Sequence, residues 1–194
     1  MPRSERRTAK IRDVLSKRQP DLTVVMENIH DPHNVSAVLR SCDAVGVMRV
    51  ELLYNVEKFP RIGKKSSSSA NKWLERRKHT DVAECYSTLR QEGFAIYATH
   101  LGTSAVSLYD LDLTKKVALV FGNEHRGVSD EAATLADGNF VIPMVGMIQS
   151  LNISVACAVS LYEALRQRME CGAFDASKFS DTAFRELFEQ WIKL

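Results

Sequence analysis

The chain has 194 residues, 45% of them hydrophobic and 26% charged, with a net charge of +2. That balance belongs to a globular protein with one sizeable core, and no run reaches the roughly 18 apolar residues that cross a bilayer. The basic N-terminus lacks the apolar segment of a secretory signal, so a cytoplasmic location away from membranes is expected.

Residues 1–20 read as a basic N-terminal extension. The first 18 carry Arg3, Arg6, Arg7, Lys10, Arg12, Lys17 and Arg18 against Glu5 and Asp13. Leu22 to Glu27 then reads as a buried strand. Asn34 to Val45 reads as a helix with Asn34 as N-cap and Gly46 just past its end. Met48 to Tyr54 is a second strand. A basic cluster follows, Lys58, Arg61, Lys64, Lys65, Lys72, Arg76, Arg77 and Lys78, around the serine run Ser66 to Ser69 and Trp73. Lysine and arginine neutralise phosphates without regard to sequence, so the two basic segments read as a nucleic-acid footprint; a solvated charged surface is the competing reading.

The alternation continues with a helix from Val82 to Gln91 capped by Asp81 and closed by Gly93. Strands follow at Phe94 to Thr99 and Val117 to Phe121, then a helix capped by Ser129 and a short strand from Phe140 to Ile142. Next comes a long helix with Ser150 as N-cap, on which Leu151, Val155, Ala158, Tyr162, Leu165 and Met169 form one apolar stripe ending at Gly172. Residues 173–194 form a helical extension with Phe184, Leu187, Phe188, Trp191 and Ile192 on one face. Strands alternating with helices predict an α/β protein with a mostly parallel sheet and one main domain, 21–172. Such sheets bind ligands at the carboxyl ends of their strands, where the loops His100 to Thr103, Gly122 to Gly127 and Pro143 to Gln149 converge. Cys42, Cys85, Cys157 and Cys171 are scattered without a CxxC pair, which predicts reduced, mostly buried thiols and no metal site. No GxGxxG or GxxxxGK[ST] motif supports nucleotide binding.

Three segments, ENIHDPHNVSAVLRSCDAVGV (27–47), ALVFGNEHRGVSDEA (118–132) and IPMVGMIQSLNISVACAVSLYEALRQR (142–168), carry a resemblance in order and spacing to the SpoU branch of the SPOUT methyltransferases. The resemblance implies an S-adenosylmethionine cofactor, helices on both sheet faces with a C-terminal deep trefoil knot, an obligate homodimer, and ribose 2′-O-methylation of RNA. The tails resemble those of members acting on a D-loop guanosine of tRNA, at position 18. Ribosomal RNA, another tRNA position, or a non-catalytic RNA-binding role are the alternatives.

Carried over by position, the expected catalytic residues are Asn34, Arg40, Glu124, Ser150 and Asn152, and the expected cofactor contacts, mainly through backbone, are Thr99, Gly122, Ile142 and Leu151. Each also has a plainer reading: Asn34, Ser150 and Asn152 as helix caps, Arg40 as a surface arginine, Glu124 as a turn residue paired with His125 or Arg126. Arg6, Arg7, Lys10, Arg12, Lys64, Lys65 and Lys72 are the expected RNA-backbone contacts, with Arg166 and Arg168 as weaker ones that serve a dimer instead. A guanidinium is a poor proton acceptor, so Arg40 is expected to act by pairing with a phosphate and stabilising a developing alkoxide.

Overall fold

In the computed structural model, residues 3–60, 70–102 and 104–194 are described. Seven strands form one parallel sheet: β1 (Gln19–Glu27), β2 (Val47–Leu53), β3 (Glu75–His79), β4 (Ala95–Thr99), β5 (Val106–Ser107), β6 (Val117–Phe121) and β7 (Gly138–Val141), in the order β3-β2-β1-β6-β4-β7-β5. The helices are α1 (Arg3–Ser16), α2 (Pro32–Ala44), α3 (Val82–Gln91), α4 (Asp130–Leu135), α5 (Ile153–Glu170) and α6 (Asp181–Lys193).

The central strand β6, VALVF, is buried throughout, because the sheet is covered on both faces. Val117, Leu119 and Phe121 point to the face covered by α2 and α5, where Val38, Leu39, Cys157 and Leu161 complete one core. Ala118 and Val120 point the other way, onto Val82, Tyr86 and Leu89 of α3 and Ala132 of α4. Among the described residues no helix is long and apolar enough to cross a membrane.

Two strands were not anticipated. β3, ERRKH, has no apolar alternation. It pairs with β2 at the sheet edge, where exposed Arg76 and Lys78 discourage further strand addition. β5 has two residues and, among the described residues, pairs only with β7. Two expected caps are corrected. Asp31, not Asn34, caps α2: its carboxylate accepts the His33 N–H at 2.7 Å, and Pro32 takes the first helical position, where its missing N–H costs nothing. Asn152, not Ser150, caps α5, accepting the Ser154 N–H at 2.9 Å. Ser129 and Asp81 cap α4 and α3 as expected.

The apolar stripe of α5 faces outward. Cys157, Ser160, Leu161, Ala164 and Arg168 pack inward, whereas Val155, Tyr162 and Met169 are exposed. Ser160 is accommodated by donating to the Ala156 carbonyl at 2.9 Å. Arg168 is fully buried and gathers the chain around it, donating to the carbonyls of Leu113 (3.0 Å) and Lys115 (2.7 Å), to Gln19 Oε1 (2.9 Å), and to Asp21 at 2.6 Å. That corrects its reading as an RNA or dimer contact: no water-facing donor is left. Arg166 is exposed and pairs with Glu163 and Glu170 on its own helix.

The two termini meet. Ile11, Leu15 and Trp191 form a small core with Met48, flanked by Trp73, Phe184 and Phe188. Arg7 donates to the carbonyl of Ile192 at 3.0 Å, Arg12 lies over the Phe188 ring, and buried Arg18 pairs with Asp43 and lies over Trp191. Part of the N-terminal charge is therefore committed to holding α6.

Candidate active site

The carboxyl ends of β4, β6 and β7 open into a cavity of about 670 Å³, within the range of small-molecule sites. Its wall includes Thr99, Gly122, Ile142 and Leu151, the four expected cofactor positions, together with Glu124, Ser150 and Asn152. Asn34 and Arg40 are not in the wall.

Asn34 nevertheless joins the site through side chains. Glu124 accepts from Asn34 Nδ2 at 2.9 Å and from the backbone N–H groups of His30 (2.9 Å) and Asp31 (3.0 Å). Asn34 Oδ1 in turn accepts from Asn152 Nδ2 at 3.1 Å. One residue from each of three segments thus forms a single chain, Glu124–Asn34–Asn152, in which every amide orientation is dictated by a neighbour. Burial acts to raise the Glu124 carboxyl, but the donors from Asn34, His30 and Asp31 outweigh it and hold its pKa below the ordinary value. Glu124 is therefore an anion at the cavity rim, together with Asp130.

Local backbone chemistry builds the rim. At Gly122 an added Cβ would lie 2.1 Å from the Gly127 carbonyl, so only glycine lets the chain fold back on itself there. The turn is closed by paired backbone bonds between Asn123 and Gly127 at 2.9 and 2.8 Å. Asn123 locks it: its Oδ1 accepts from His125 N–H at 3.0 Å and its Nδ2 donates to the Asn28 carbonyl at 2.8 Å. Asn28 adopts a left-handed conformation, φ 51°, and its Oδ1 receives the N–H groups of Val56 and Glu57. Buried Glu27 accepts the Ser129 N–H at 3.0 Å, anchoring the far end of the same turn. The sequence reading missed Glu27, Asn28 and Asn123, although Asn123 adjoins Glu124 and all three lie in the segments that carry the resemblance. Runs such as ENIH and GNE are dense in side chains that replace backbone partners in turns, and that was the available signal.

Three motifs distant in sequence thus converge in one hydrogen-bonded cavity, in the order of the family they resemble. Over residues 21–162 the chain matches the SpoU rRNA Methylase family. The chain belongs to this family. It is 44% identical over 191 residues to the tRNA (guanosine(18)-2′-O)-methyltransferase of Thermus thermophilus, covering 98% of both chains. The crystal structure of the Aquifex aeolicus TrmH/SpoU tRNA modifying enzyme superposes with a TM-score of 0.91 at 38% identity, over 98% of this chain and 96% of that one. The SpoU methyltransferase AviRb from Streptomyces viridochromogenes, in complex with the cofactor AdoMet, gives a TM-score of 0.69 at 26% identity, over 80% of this chain and 62% of that one.

Against this SpoU framework, the exceptional residue is Arg40. It is exposed on α2, without a hydrogen bond or ion pair among the described residues, and it does not line the cavity of its own chain. Ser150 lies exposed at the cavity rim. Of the expected RNA contacts, Arg6, Lys10 and Lys72 are exposed. Arg7 and Arg12 are exposed but also clasp α6. Lys64 and Lys65, with Thr103 and the serine run, lie outside the described residues. Cys42, Cys85 and Cys157 are buried and Cys171 is exposed, all as free thiols. Among the described residues no His, Cys, Asp or Glu cluster could hold a metal ion.

Proposed function

We propose that this protein is an S-adenosylmethionine-dependent tRNA ribose 2′-O-methyltransferase acting on the D-loop guanosine at position 18. The observation that carries the reading is the Glu124–Asn34–Asn152 chain at the rim of the cavity. The relatives named for that activity, matched along nearly their whole length, support the choice of substrate. The cavity fits the cofactor. Phe121, Ile142, Leu151, Ile153 and Ala156 offer an apolar slot for an adenosine, and Glu124 and Asp130 offer carboxylates to a cationic ligand. When bound, S-adenosylmethionine supplies an electrophilic methyl carbon. Thr99, Gly122, Ile142 and Leu151 hold it through the three loops. Asn34, Asn152 and Ser150 fix the rim against which the ribose is aligned. Arg40 pairs with the phosphate beside the target ribose and stabilises charge developing on the 2′-oxygen, while that phosphate or a water takes the proton.

Because Arg40 lies outside its own cavity, a second copy supplies it, and the protein works as a homodimer. The exposed apolar side chains support this: Val145, Met147 and Ile148 in the loop before α5, and Val155, Tyr162 and Met169 along one side of it. The proposed organisation is a basic arm (1–20), a methyltransferase body (21–172) and a helical tail (173–194), the whole cytoplasmic. We place a trefoil knot at the body's C-terminal end. Its support is the path of the chain from β4 out to β5, beyond β7, and back to β6 on the opposite flank of β4. The end of α5 is bonded to that returning segment at Leu111, Leu113 and Lys115.

The test is methyl transfer from labelled S-adenosylmethionine to unmodified tRNA transcript, with wild type beside Arg40→Ala and the product nucleotide mapped by mass spectrometry. Label on the ribose of the D-loop guanosine, lost in the variant, is expected. Transfer to ribosomal RNA instead would move the substrate, and no transfer to any RNA would leave a binding protein.

A further inference from the structure

Among the described residues that line the cavity, Arg126 alone carries a fixed positive charge, and it stands beside two acids, Glu124 and Asp130. The rim carries two carboxylates and this single guanidinium, so Arg126 is the fixed charge there that can receive an RNA phosphate. In the structure it is taken: Arg126 Nη2 lies 3.0 Å from Glu57 Oε1. The carboxylate is delivered there by the backbone. The N–H of Glu57 is held at 3.0 Å by the side-chain Oδ1 of Asn28, while the backbone carbonyl of Asn28 receives Nδ2 of Asn123, which closes the turn carrying Arg126. The other Glu57 oxygen lies 3.6 Å from His30 Nδ1, and the backbone N–H of His30 bonds Glu124. Glu57 thus puts two anionic oxygens between Arg126 and His30, the kind of group a phosphodiester presents.

We propose that Arg126 is a docking point for an RNA phosphate at the cavity mouth, and that Glu57 occupies this point in the free protein and gives way to the phosphate. The proposal rests on the reading of the protein as an RNA methyltransferase. Exchange is inexpensive because both partners are partly exposed, with side chains 56% and 28% accessible, and such pairs contribute little. A guanidinium can grip a phosphate through two parallel hydrogen bonds, and the incoming strand releases counterions on neutralisation. The freed Glu57 carboxylate swings into solvent while its backbone stays pinned.

The experiment measures binding of unmodified tRNA transcript across a salt series, with cofactor affinity by calorimetry alongside, for wild type, Glu57→Gln, Arg126→Ala, Arg126→Lys and the double variant Glu57→Gln/Arg126→Ala. Arg126→Ala is expected to weaken tRNA binding severalfold and to reduce the slope of log affinity against log salt by about one unit, with Arg126→Lys restoring part of both. Glu57→Gln is expected to tighten binding severalfold, and that gain must vanish in the double variant, because a neutralised competitor matters only while the arginine is present. A loss of tRNA binding in Arg126→Ala matched by an equal loss of cofactor affinity would overturn the proposal, because Arg126 would then serve the cofactor cavity rather than the RNA. The proposal is overturned if Arg126→Ala binds tRNA as wild type does, or if Glu57→Gln tightens binding equally with and without Arg126, which would be a general charge effect. If wild type methylates tRNA and Arg126→Ala is silent, this inference alone fails; if wild type neither binds nor methylates RNA, the functional reading fails with it.

Discussion

Asn34 shows how much one amide decides. It donates to Glu124 and accepts from Asn152, so its two polar ends cannot be interchanged. Asn34→Asp keeps the acceptor and abolishes the donor, placing a second carboxylate against Glu124. Loss of a hydrogen bond to a charged group is worth about 2 kcal/mol, so turnover is expected to fall by about tenfold or more. The sign of the pH effect follows from the same contact. In the wild type the Glu124 pKa is lowered, so its share of stability is present above the ordinary value of 4.5 and is lost as pH falls through the depressed value. In the variant, paired carboxylates favour protonation, so the stability deficit relative to wild type should grow as pH rises past that range. Melting temperatures of both proteins from pH 4 to 7 measure this; a deficit independent of pH would show that charge repulsion is not the cause.

At the scale of elements, the sequence made the regular parts of the sheet legible and hid those held by charge. β1, β6, α3 and α4 were readable because burial on two faces demands unbroken apolar runs in the strands and because Asp81 and Ser129 mark the helix starts. β3 was not, because its residues answer to an ion cluster rather than a core. Buried Glu51 of β2 accepts from Arg49 and Arg77 at 2.8 Å each and lies 2.8 Å from His79 Nε2, while Glu92 at the end of α3 pairs with both arginines. Burial acts to raise the Glu51 carboxyl, but the hydrogen bonds from His79 and Arg77 and the charges of Arg49 and Arg77 hold it below the ordinary range. For α5 the pattern was visible and its direction was not: the inward face carries Ser160 and Arg168, whose polarity hid it from a periodicity argument. Of the site, Glu124, Asn34 and Asn152, whose side chains meet, are singled out in the sequence, but the links through Asn28 and Asn123 depend on side chains meeting turns remote in sequence. The cluster yields its own prediction. Glu51→Gln leaves the arginines with half their compensation, costing about 3 kcal/mol at pH 7 by urea unfolding. The gap should narrow as pH is taken below 4.5, where the wild-type carboxylate begins to lose its own advantage.

For the molecule as a whole, the apolar stripe on α5 and the isolation of Arg40 raise one question, whether the working unit contains two chains. Tyr162 is 55% exposed and Met169 64%, two turns apart on one side of α5, so a charge placed at Tyr162 falls within the exposed stripe without touching the core. Tyr162→Glu is expected to give a folded monomer by analytical ultracentrifugation, with cavity intact and methyl transfer lost. A more demanding version uses two impaired chains. Asn34→Asp damages the rim of its own cavity, and Arg40→Ala removes the arginine. If each cavity draws its arginine from the partner, a co-expressed mixture contains heterodimers in which the Arg40→Ala chain offers an intact rim and receives Arg40 from the Asn34→Asp chain. Half the dimers would then carry one working site of two, and activity should return to about a quarter of wild type. If each chain uses its own Arg40, every heterodimer holds one damaged rim and one cavity without arginine, and the mixture shows no more activity than its components. Recovery would therefore assign both the interface and the direction in which Arg40 reaches, from a single rate measurement.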